Sequence, residues 1–151
     1  MRHPIEVATL LYEAGYGDDV IAAGALHDVI ENSDTTPREI AERFGSKVAL
    51  LVTAVTENPA IERDAERKAA LRFQVARAGD TAAAVFAADK ISKVRELRVR
   101  ASRGGVDSVA PKKPAHYEAS LEMLAEEIPD HELVAQLRQE LEALRALPGV
   151  A

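Results

Sequence analysis

An apolar segment that contains ionisable side chains, residues 18–32, constrains the fold of this chain more than any other feature. Eight of its residues are Val, Ile, Leu or Ala, which is typical of a helix that is buried on most of its sides. His27, Asp28 and Glu31 lie within it, at a spacing that places them on one broad helix face. Buried ionisable groups are costly unless they are paired, hydrogen-bonded or metal-bound. The segment therefore indicates either a metal site or a structural histidine that its aspartate neighbour orients.

The composition favours helices in the rest of the chain as well. Of the 151 residues, 47% are hydrophobic but only 4% are aromatic, so the core must consist mainly of Ala, Val, Leu and Ile. A chain of this length is long enough for one domain with a substantial core. We therefore expect an all-α protein of about seven to eight helices, in which residues 1–151 form a single domain.

Charge and residue usage exclude several classes of protein. A formal net charge of −6 argues against binding of a nucleic-acid polymer. The absence of cysteine excludes disulfides, thiolate zinc sites and a cysteine nucleophile. No apolar run approaches the roughly 20 residues of a membrane span, and the first residues lack a signal-peptide pattern. These features predict a soluble, cytoplasmic protein that does not bind membranes.

Proline, glycine and capping residues mark where the predicted helices begin and end. Thr36 and Glu39 form a capping box with Pro37 at the first helical position, and Gly79 separates two later helices. A loop of roughly a dozen residues, 103–114, is long enough to be either functional or disordered. The predicted helices cover about residues 4–14, 18–32, 37–44, 46–55, 61–78, 81–102, 115–127 and 131–146.

A second carboxylate interrupts an apolar helix later in the chain. Residues 82–88 are almost purely apolar, and Asp89 follows them directly. Basic residues come next, and they predict a basic rim around the Asp89 site that binds an anionic substrate. The candidate substrate-binding residues are Lys90, Lys93 and Arg95.

Four side chains together suit a divalent cation. His3, His27, Asp28 and Asp89 each lie at or in a helix with an apolar inner side, and two imidazoles with two carboxylates fit Mn²⁺, Fe²⁺, Zn²⁺ or Ni²⁺. Glu31 lies one turn after His27, where it can serve as a base for an attacking water. The pattern indicates hydrolysis of a phosphate ester. For His3 the alternative is a solvated residue at the chain end.

Four segments of the chain form a recognisable set: His3–Ala8, Ala22–Glu31, Thr36–Glu57 and Ala87–Arg95. Taken together, they resemble the HD-domain phosphohydrolases, and among these most of all the hydrolase domain of the RelA/SpoT proteins and the small alarmone hydrolases. The similarity covers residues 3–98, with a weaker similarity at 116–118, so that the C-terminal helices within 115–146 lie largely outside it.

The resemblance implies a fold, a metal and a reaction. It implies an HD-domain helical bundle that binds one Mn²⁺ through His3, His27, Asp28 and Asp89. It also implies removal of the 3′-pyrophosphate from guanosine tetra- or pentaphosphate. The catalytic positions that it assigns to the attacking water are Glu31 and Asn32.

The chain departs from the family pattern at three places. The family usually has Glu-Asp where this chain has Glu31-Asn32, and commonly has asparagine at the position of Lys93. It also has a helix and a basic loop before the first histidine, whereas this sequence starts at Met1-Arg2-His3. The alternatives are a hydrolase of another phosphorylated small molecule, or a degenerate domain that only binds metal or nucleotide. An apolar face left by the absent helix predicts a homo-oligomer.

Overall fold

The computed structural model of the protein describes residues 2–104 and 112–147, which form an all-helical bundle without strands. This confirms the predicted all-α fold. None of the described helices is long and apolar enough to cross a membrane. In these ranges the helices are α1 (Arg2–Glu13), α2 (Asp18–Leu26), α3 (Val29–Asn32), α4 (Pro37–Phe44), α5 (Ser46–Ala54), α6 (Asp64–Ala78), α7 (Asp80–Gly104), α8 (Lys112–Glu127) and α9 (Glu132–Arg145).

Helix α7 lies at the centre of the bundle. It packs against α1, α2, α5, α6, α8 and α9. Residues 82–88 are all buried, and Ile91, Val94 and Leu97 continue the buried surface toward the C-terminus of the helix. Because Asp89 directly follows the buried run, the hydrophobic core fixes the position of this carboxylate.

The prediction of one continuous helix over 18–32 is wrong in one respect, because the structure has a break in the middle of this segment. Helix α2 ends at Leu26, and α3 is a separate four-residue helix. Between them Asp28 has φ −99° and ψ 0°, which lies in the bridge region rather than in the helical one. The break therefore falls at the two residues, His27 and Asp28, that the sequence marks as candidate ligands.

Gly24 allows α1 and α2 to approach closely. A Cβ atom at this position would lie 2.5 Å from Leu11 Cδ1 and 3.2 Å from Val7 Cγ1, so both side chains of α1 would have to shift for any larger residue. The close packing brings the start of α1, which carries His3, next to the end of α2, which His27 follows.

Most other helix boundaries agree with the sequence. Thr36 Oγ1 accepts from the Glu39 N–H while the Glu39 side chain accepts from the Thr36 N–H, which confirms the capping box. Helix α6 starts three residues later than predicted, at Asp64. Helix α7 extends to Gly104 and α8 begins at Lys112, so the predicted loop 103–114 is shorter than expected. Its central part, 105–111, lies outside the described residues.

Candidate metal centre

Four side chains converge where the start of α1, the α2–α3 junction and the middle of α7 meet. His3 Nε2 lies 3.0 Å from His27 Nε2, and Asp89 Oδ1 lies 2.9 Å and 3.0 Å from these two nitrogen atoms. Asp28 Oδ2 lies 3.1 Å from His27 Nε2 and 3.7 Å from His3 Nε2. The structure thus brings together all four residues that the sequence indicates as metal ligands. Their role as ligands stays a prediction.

The break between α2 and α3 lets two adjacent residues reach the same point. In a continuous helix, successive side chains point about 100° apart around the axis. Because Asp28 leaves the helical conformation, its carboxylate lies beside the ring of His27 instead of on another face. A local departure from helix geometry therefore assembles this half of the centre.

Hydrogen bonds at the outer ring nitrogens fix which atom of each imidazole faces the centre. His27 Nδ1 lies 2.6 Å from the Gly24 carbonyl oxygen, which only accepts, so this nitrogen carries the proton. His3 Nδ1 lies 2.8 Å from Ser92 Oγ, whose hydroxyl donates to Glu6 Oε1, so Ser92 accepts from His3. In the neutral rings both Nε2 atoms therefore present lone pairs to the centre.

The donor set fits a cation. Two imidazole nitrogens and two carboxylate oxygens that face one point repel one another unless positive charge lies between them. Burial lowers the pKa of His27, but the hydrogen bonds and charges of Asp28 and Asp89 outweigh burial and raise this pKa to about 10. A proton satisfies only part of the cluster, whereas a borderline divalent ion is suited to all four donors.

Solvent reaches the centre from the Asp28 side. The side chains of His27 and Asp89 are 2% and 7% exposed, whereas that of Asp28 is 27% exposed. Asp28 borders an apolar groove of about 700 Å³ between α1 and the α2–α3 segment, so a ligand can approach the donors from this direction. The apolar groove is lined by Pro4, Ile5, Ala8, Thr9, Tyr12, Ile21, Ala25, Leu26, Asp28, Val29, Asn32 and Ser33.

The second oxygen of Asp89 faces lysines instead of histidines. Lys90 Nζ donates to Asp89 Oδ2 at 2.6 Å, and Lys93 Nζ lies 3.4 Å from the same oxygen. Burial raises the pKa of Asp89, but these positive charges and the two histidines outweigh burial and hold this pKa well below its usual range. The lysine cavity beside them measures about 250 Å³ and is lined by Asp64, Lys68, Lys90, Lys93, Glu96, Leu97, Arg100, His116 and Tyr117.

His116 brings a neutral donor to the wall of the lysine cavity. Arg72 Nη1 donates to His116 Nδ1 at 2.6 Å, so Nε2 carries the ring proton. This Nε2 is buried and has no hydrogen-bond partner among the residues that the structure describes. Burial lowers the pKa of His116, and the nearby lysines and Arg72 lower it further, to about 3. The cavity therefore combines the positive charge of its lysines with a neutral histidine in its wall, which suits an anion with oxygen acceptors.

Three residues at or beside this cavity, Lys68, Arg72 and His116, were not among the candidate site residues that the sequence indicated. Lys68 and Arg72 lie on α6, a heavily charged helix whose pattern is typical of a solvated surface. The weak similarity to the family at residues 116–118 was the sequence signal that could have identified His116. Only the packing of α6 and α8 against α7 brings these residues beside Lys90.

Glu31 and Asn32 lie on the segment that directly follows the candidate donors His27 and Asp28. Both are exposed, on the short helix α3. Glu31 Oε1 accepts from the backbone N–H of Glu57 at 2.7 Å, which leaves its second oxygen available. Asn32 lies in the apolar groove together with Asp28. Their catalytic roles stay predictions.

Arg95 does not lie with Lys90 and Lys93 in the lysine cavity. Its guanidinium group donates to Glu6 Oε2 at 3.1 Å and to Glu140 Oε1 at 3.2 Å. The predicted set of substrate-binding residues is therefore divided in space. Lys90 and Lys93 lie beside the metal centre, and Arg95 lies between α1 and α9.

Comparison with known proteins identifies the family. The chain matches the model of the HD domain over residues 1–110, which is more than half of its length. The chain therefore belongs to the HD domain family. HD domains bind a divalent metal ion, and the His/Asp group of this chain is the candidate site for one.

Two relatives are named after the same reaction. The chain is 46% identical over 65 residues to the guanosine-3′,5′-bis(diphosphate) 3′-pyrophosphohydrolase of Aquifex aeolicus, which covers 43% of this chain and 9% of that protein. It is 38% identical over 99 residues to the human guanosine-3′,5′-bis(diphosphate) 3′-pyrophosphohydrolase MESH1, which covers 64% of this chain and 55% of that protein. The chain thus spans about half the length of MESH1 and far less of the Aquifex protein.

Two solved structures share the fold over nearly the whole chain. The crystal structure of lmo0812 from Listeria monocytogenes EGD-e has a TM-score of 0.79 and 26% identity, and the match covers 93% of this chain and 91% of that one. A metazoan ortholog of SpoT that hydrolyses ppGpp has a TM-score of 0.77 and 26% identity, with 97% and 81% covered. Both matches extend past residue 98, so the likeness includes helices that the sequence motifs alone did not reach.

Proposed function

We propose that the protein is a divalent-metal-dependent phosphohydrolase that removes the 3′-pyrophosphate from guanosine 3′,5′-bis(diphosphate). The observation that carries this proposal is the position of Asp89. One of its oxygens completes a cluster with His3 and His27, and the other faces the lysine cavity. A cation site and an anion site therefore share one carboxylate, which is the arrangement that a phosphate ester requires for binding beside a metal.

The proposed ligands are His3, His27, Asp28 and Asp89, and the proposed ion is Mn²⁺, with Fe²⁺, Zn²⁺ and Ni²⁺ as alternatives. A divalent cation held there supplies Lewis acidity, which favours attack of water on phosphorus. The two inward Nε2 lone pairs and the two carboxylates hold it without any change of imidazole tautomer.

The two depressions beside the centre would receive different parts of a nucleotide. The lysine cavity, with Lys68, Lys90, Lys93 and His116 in its lining, suits a second phosphate group. The apolar groove next to Asp28 suits a nucleobase, because its lining is almost entirely apolar. A substrate with two separate phosphate groups and a base would therefore occupy both.

In this proposal Glu31 accepts the proton of the attacking water. Its Oε1 is held by the Glu57 N–H, so its second oxygen remains available for that proton. Asn32 can orient a water molecule by hydrogen bonding but cannot accept a proton from it.

Asn32 also supports a second candidate, a domain that binds metal and nucleotide without hydrolysing the nucleotide. Loss of one of two acids that serve the water is the change expected in such a domain. A hydrolase of another phosphorylated small molecule is the third candidate.

We also propose that residues 1–151 act as one domain. A single core cluster contains buried side chains from α1, α7 and α9, so the C-terminal helices complete the core of the HD domain. Thermal unfolding of the whole chain should then show a single cooperative transition, and two separate transitions would contradict the proposal.

The test is incubation of Mn²⁺-loaded protein with guanosine 3′,5′-bis(diphosphate), followed by chromatography of the products. GDP and pyrophosphate in equal amounts would support the proposal, provided that an Asp89→Asn variant forms neither. Cleavage of other nucleotides or sugar phosphates alone would favour the third candidate. Binding of the nucleotide without cleavage would favour the binding domain.

A further inference from the structure

The structure assigns a positioning role to Ser92, Glu6 and Arg95, which together hold the imidazole of His3 with its Nε2 lone pair toward the metal centre. Arg95 extends this connection to α9 through Glu140. We call Ser92, Glu6 and Arg95 the positioning relay. The inference rests on the proposed metal site and adds to it the residues that orient His3, the more exposed of its two histidines.

Ser92 is the residue that fixes the tautomer of His3. It is fully buried in α7, and its Oγ lies 2.8 Å from His3 Nδ1. A hydroxyl can donate or accept, so Ser92 alone does not determine where the ring proton lies. The direction is set because its hydroxyl donates to Glu6 Oε1, so the hydroxyl proton is not available to His3. Ser92 must then accept from His3 Nδ1, and His3 Nε2 carries the lone pair.

Arg95 holds Glu6 in the orientation that this arrangement needs. The two oxygens of Glu6 have separate partners, with Oε1 accepting from Ser92 and Oε2 accepting from Arg95 Nη1 at 3.1 Å. Ser92 and Arg95 lie three apart on α7, so both reach the same carboxylate of α1. Because each oxygen is held by a different side chain, the carboxylate cannot rotate without breaking a hydrogen bond.

Glu140 connects the positioning relay to α9. Arg95 Nε donates to Glu140 Oε1 at 3.2 Å, and Arg98 Nη1 lies 3.1 Å from Glu140 Oε2. Glu140 therefore gives Arg95 a second carboxylate partner besides Glu6. This accounts for the position of Arg95 away from the lysine cavity, which its sequence position beside Lys93 did not indicate.

Loss of Glu6 should reverse the hydrogen bond between Ser92 and His3. Without its acceptor, the Ser92 hydroxyl is free to donate to His3 Nδ1. The ring proton would then move to Nε2, where it occupies the position that a metal ion needs. A residue that touches neither the metal nor the substrate would in this way control metal affinity.

The first experiment compares two buried serines. Ser92→Ala and Ser120→Ala make the same change at fully buried helical positions, but Ser120 Oγ has no hydrogen-bond partner in the described part of the chain. Titration of metal-free protein with Mn²⁺ and Zn²⁺ should show affinity about 10- to 100-fold weaker for Ser92→Ala and unchanged for Ser120→Ala. Equal affinities of these two variants would overturn the positioning relay.

The second experiment compares two partly exposed glutamates that pair with arginine. Glu6→Ala should weaken Mn²⁺ and Zn²⁺ binding, whereas Glu118→Ala, which breaks the surface pair with Arg145, should not. Ser92→Ala in the Glu6→Ala background should cause no further loss, because both changes act through the same hydrogen bond. Losses that multiply would contradict the positioning relay. If Ser92→Ala fails to fold, the two glutamate variants decide the question.

A third measurement separates failure of this inference from failure of the proposed function. Nitrogen-15 NMR of the imidazoles in metal-free protein should show the His3 proton on Nδ1 in the wild type and on Nε2 or in exchange in Glu6→Ala. A wild type that binds no divalent cation when titrated defeats the proposed function, and a His3 Nδ1–H signal that depends on Ser92 in that protein still supports the positioning relay. A wild type that binds metal but carries its His3 proton on Nε2 in the metal-free form defeats the positioning relay alone.

Discussion

The four candidate metal donors and the Glu31–Asn32 pair differ in how the structure holds them. His27 is buried, and its Nδ1 donates to a backbone carbonyl, while Asp89 is buried and contacts both histidines and two lysines. Glu31 and Asn32 are exposed on a helix of four residues, and Glu31 is restrained by one backbone N–H. The candidate cation site is therefore held by several contacts, and the segment proposed to serve the water is held by few.

This difference separates binding from chemistry. A well-held set of donors determines whether a metal binds, whereas an exposed carboxylate on the following segment affects only the rate of a later proton transfer. Substitutions in the first region should change metal content and stability together. Substitutions in the second should leave both intact and change turnover alone.

The largest effect is expected from His27→Ala. The change removes one of the four proposed donors, whose Nε2 lies within 3.1 Å of both Asp28 and Asp89, so the bound ion should be lost. A ligand present at 100 times its Kd stabilises a protein by about 2.7 kcal/mol. Because His27→Ala should lack this contribution, its melting temperature should be lower than that of the metal-loaded wild type. Elemental analysis and calorimetry measure the two losses.

His131→Ala is the matched control for that variant. It removes a histidine that caps α9 and pairs with Tyr16, far from the donors in sequence. It should lower stability but keep the metal. Full metal occupancy in His27→Ala would remove His27 from the ligand set.

The next effect in size concerns Glu31→Gln. The amide oxygen of glutamine can still accept from the Glu57 N–H, so the local structure should persist while the proton acceptor is lost. Turnover should fall by roughly 10²–10⁴ with metal affinity unchanged. Asp34→Asn, an exposed change just after α3, serves as the control. A Glu31→Gln variant with wild-type turnover would show that the metal centre needs no base from this segment.

A smaller effect of opposite sign is expected from Asn32→Asp. The substitution adds a second carboxylate beside the groove that Asp28 borders, and it is small and exposed. If Glu31 acts alone in the wild type, turnover with Mn²⁺ should increase, since general acid–base help contributes roughly 10²–10⁴ in total. Steady-state kinetics of both proteins measure the change. Unchanged turnover together with intact metal binding would show that the side chain at position 32 takes no part in the chemistry.

The effect that is smallest at neutral pH is a change in the pH dependence of stability. The pKa of His116 is about 3 in the folded chain, below its ordinary value of 6.5, because burial and nearby cations disfavour its charged form. Between these two values the unfolded chain binds more protons, so stability decreases as the pH falls. His116→Gln cannot protonate, and its melting temperature should fall less than that of the wild type from about pH 7 to about pH 4. Equal decreases in the melting temperatures of the two proteins over this pH range would contradict a buried, neutral His116.

Much of the fold could be predicted because its signals are local. The capping box at Thr36 and Glu39 fixes the start of α4 within a few residues of chain. The apolar run before Asp89 predicts a buried helix, and this helix forms the centre of the bundle. The same reasoning from local sequence was wrong at His27 and Asp28. The apolar pattern there predicts one helix, but the structure has a break between α2 and α3.

The candidate site was predictable in its donors and not in its surroundings. A histidine or carboxylate in an apolar helix stands out in the sequence, which is why His3, His27, Asp28 and Asp89 were identified. Lysine and arginine on charged helices do not stand out, so Lys68 was not identified. The direction of Arg95 was equally hidden, since the residues that hold it, Glu6 and Glu140, are 89 and 45 positions away.

Local sequence was therefore enough to establish an all-helical chain, most helix ends and the four candidate donors, because these signals come from residues within one or two turns of each other. Three features required the folded chain: Asp28 leaves the helix, His116 closes the lysine cavity, and Arg95 supports His3 through Glu6 and Ser92. Each of them depends on how helices distant in sequence pack around the core. Contacts between distant segments form only when the core is complete, so no local pattern indicates them.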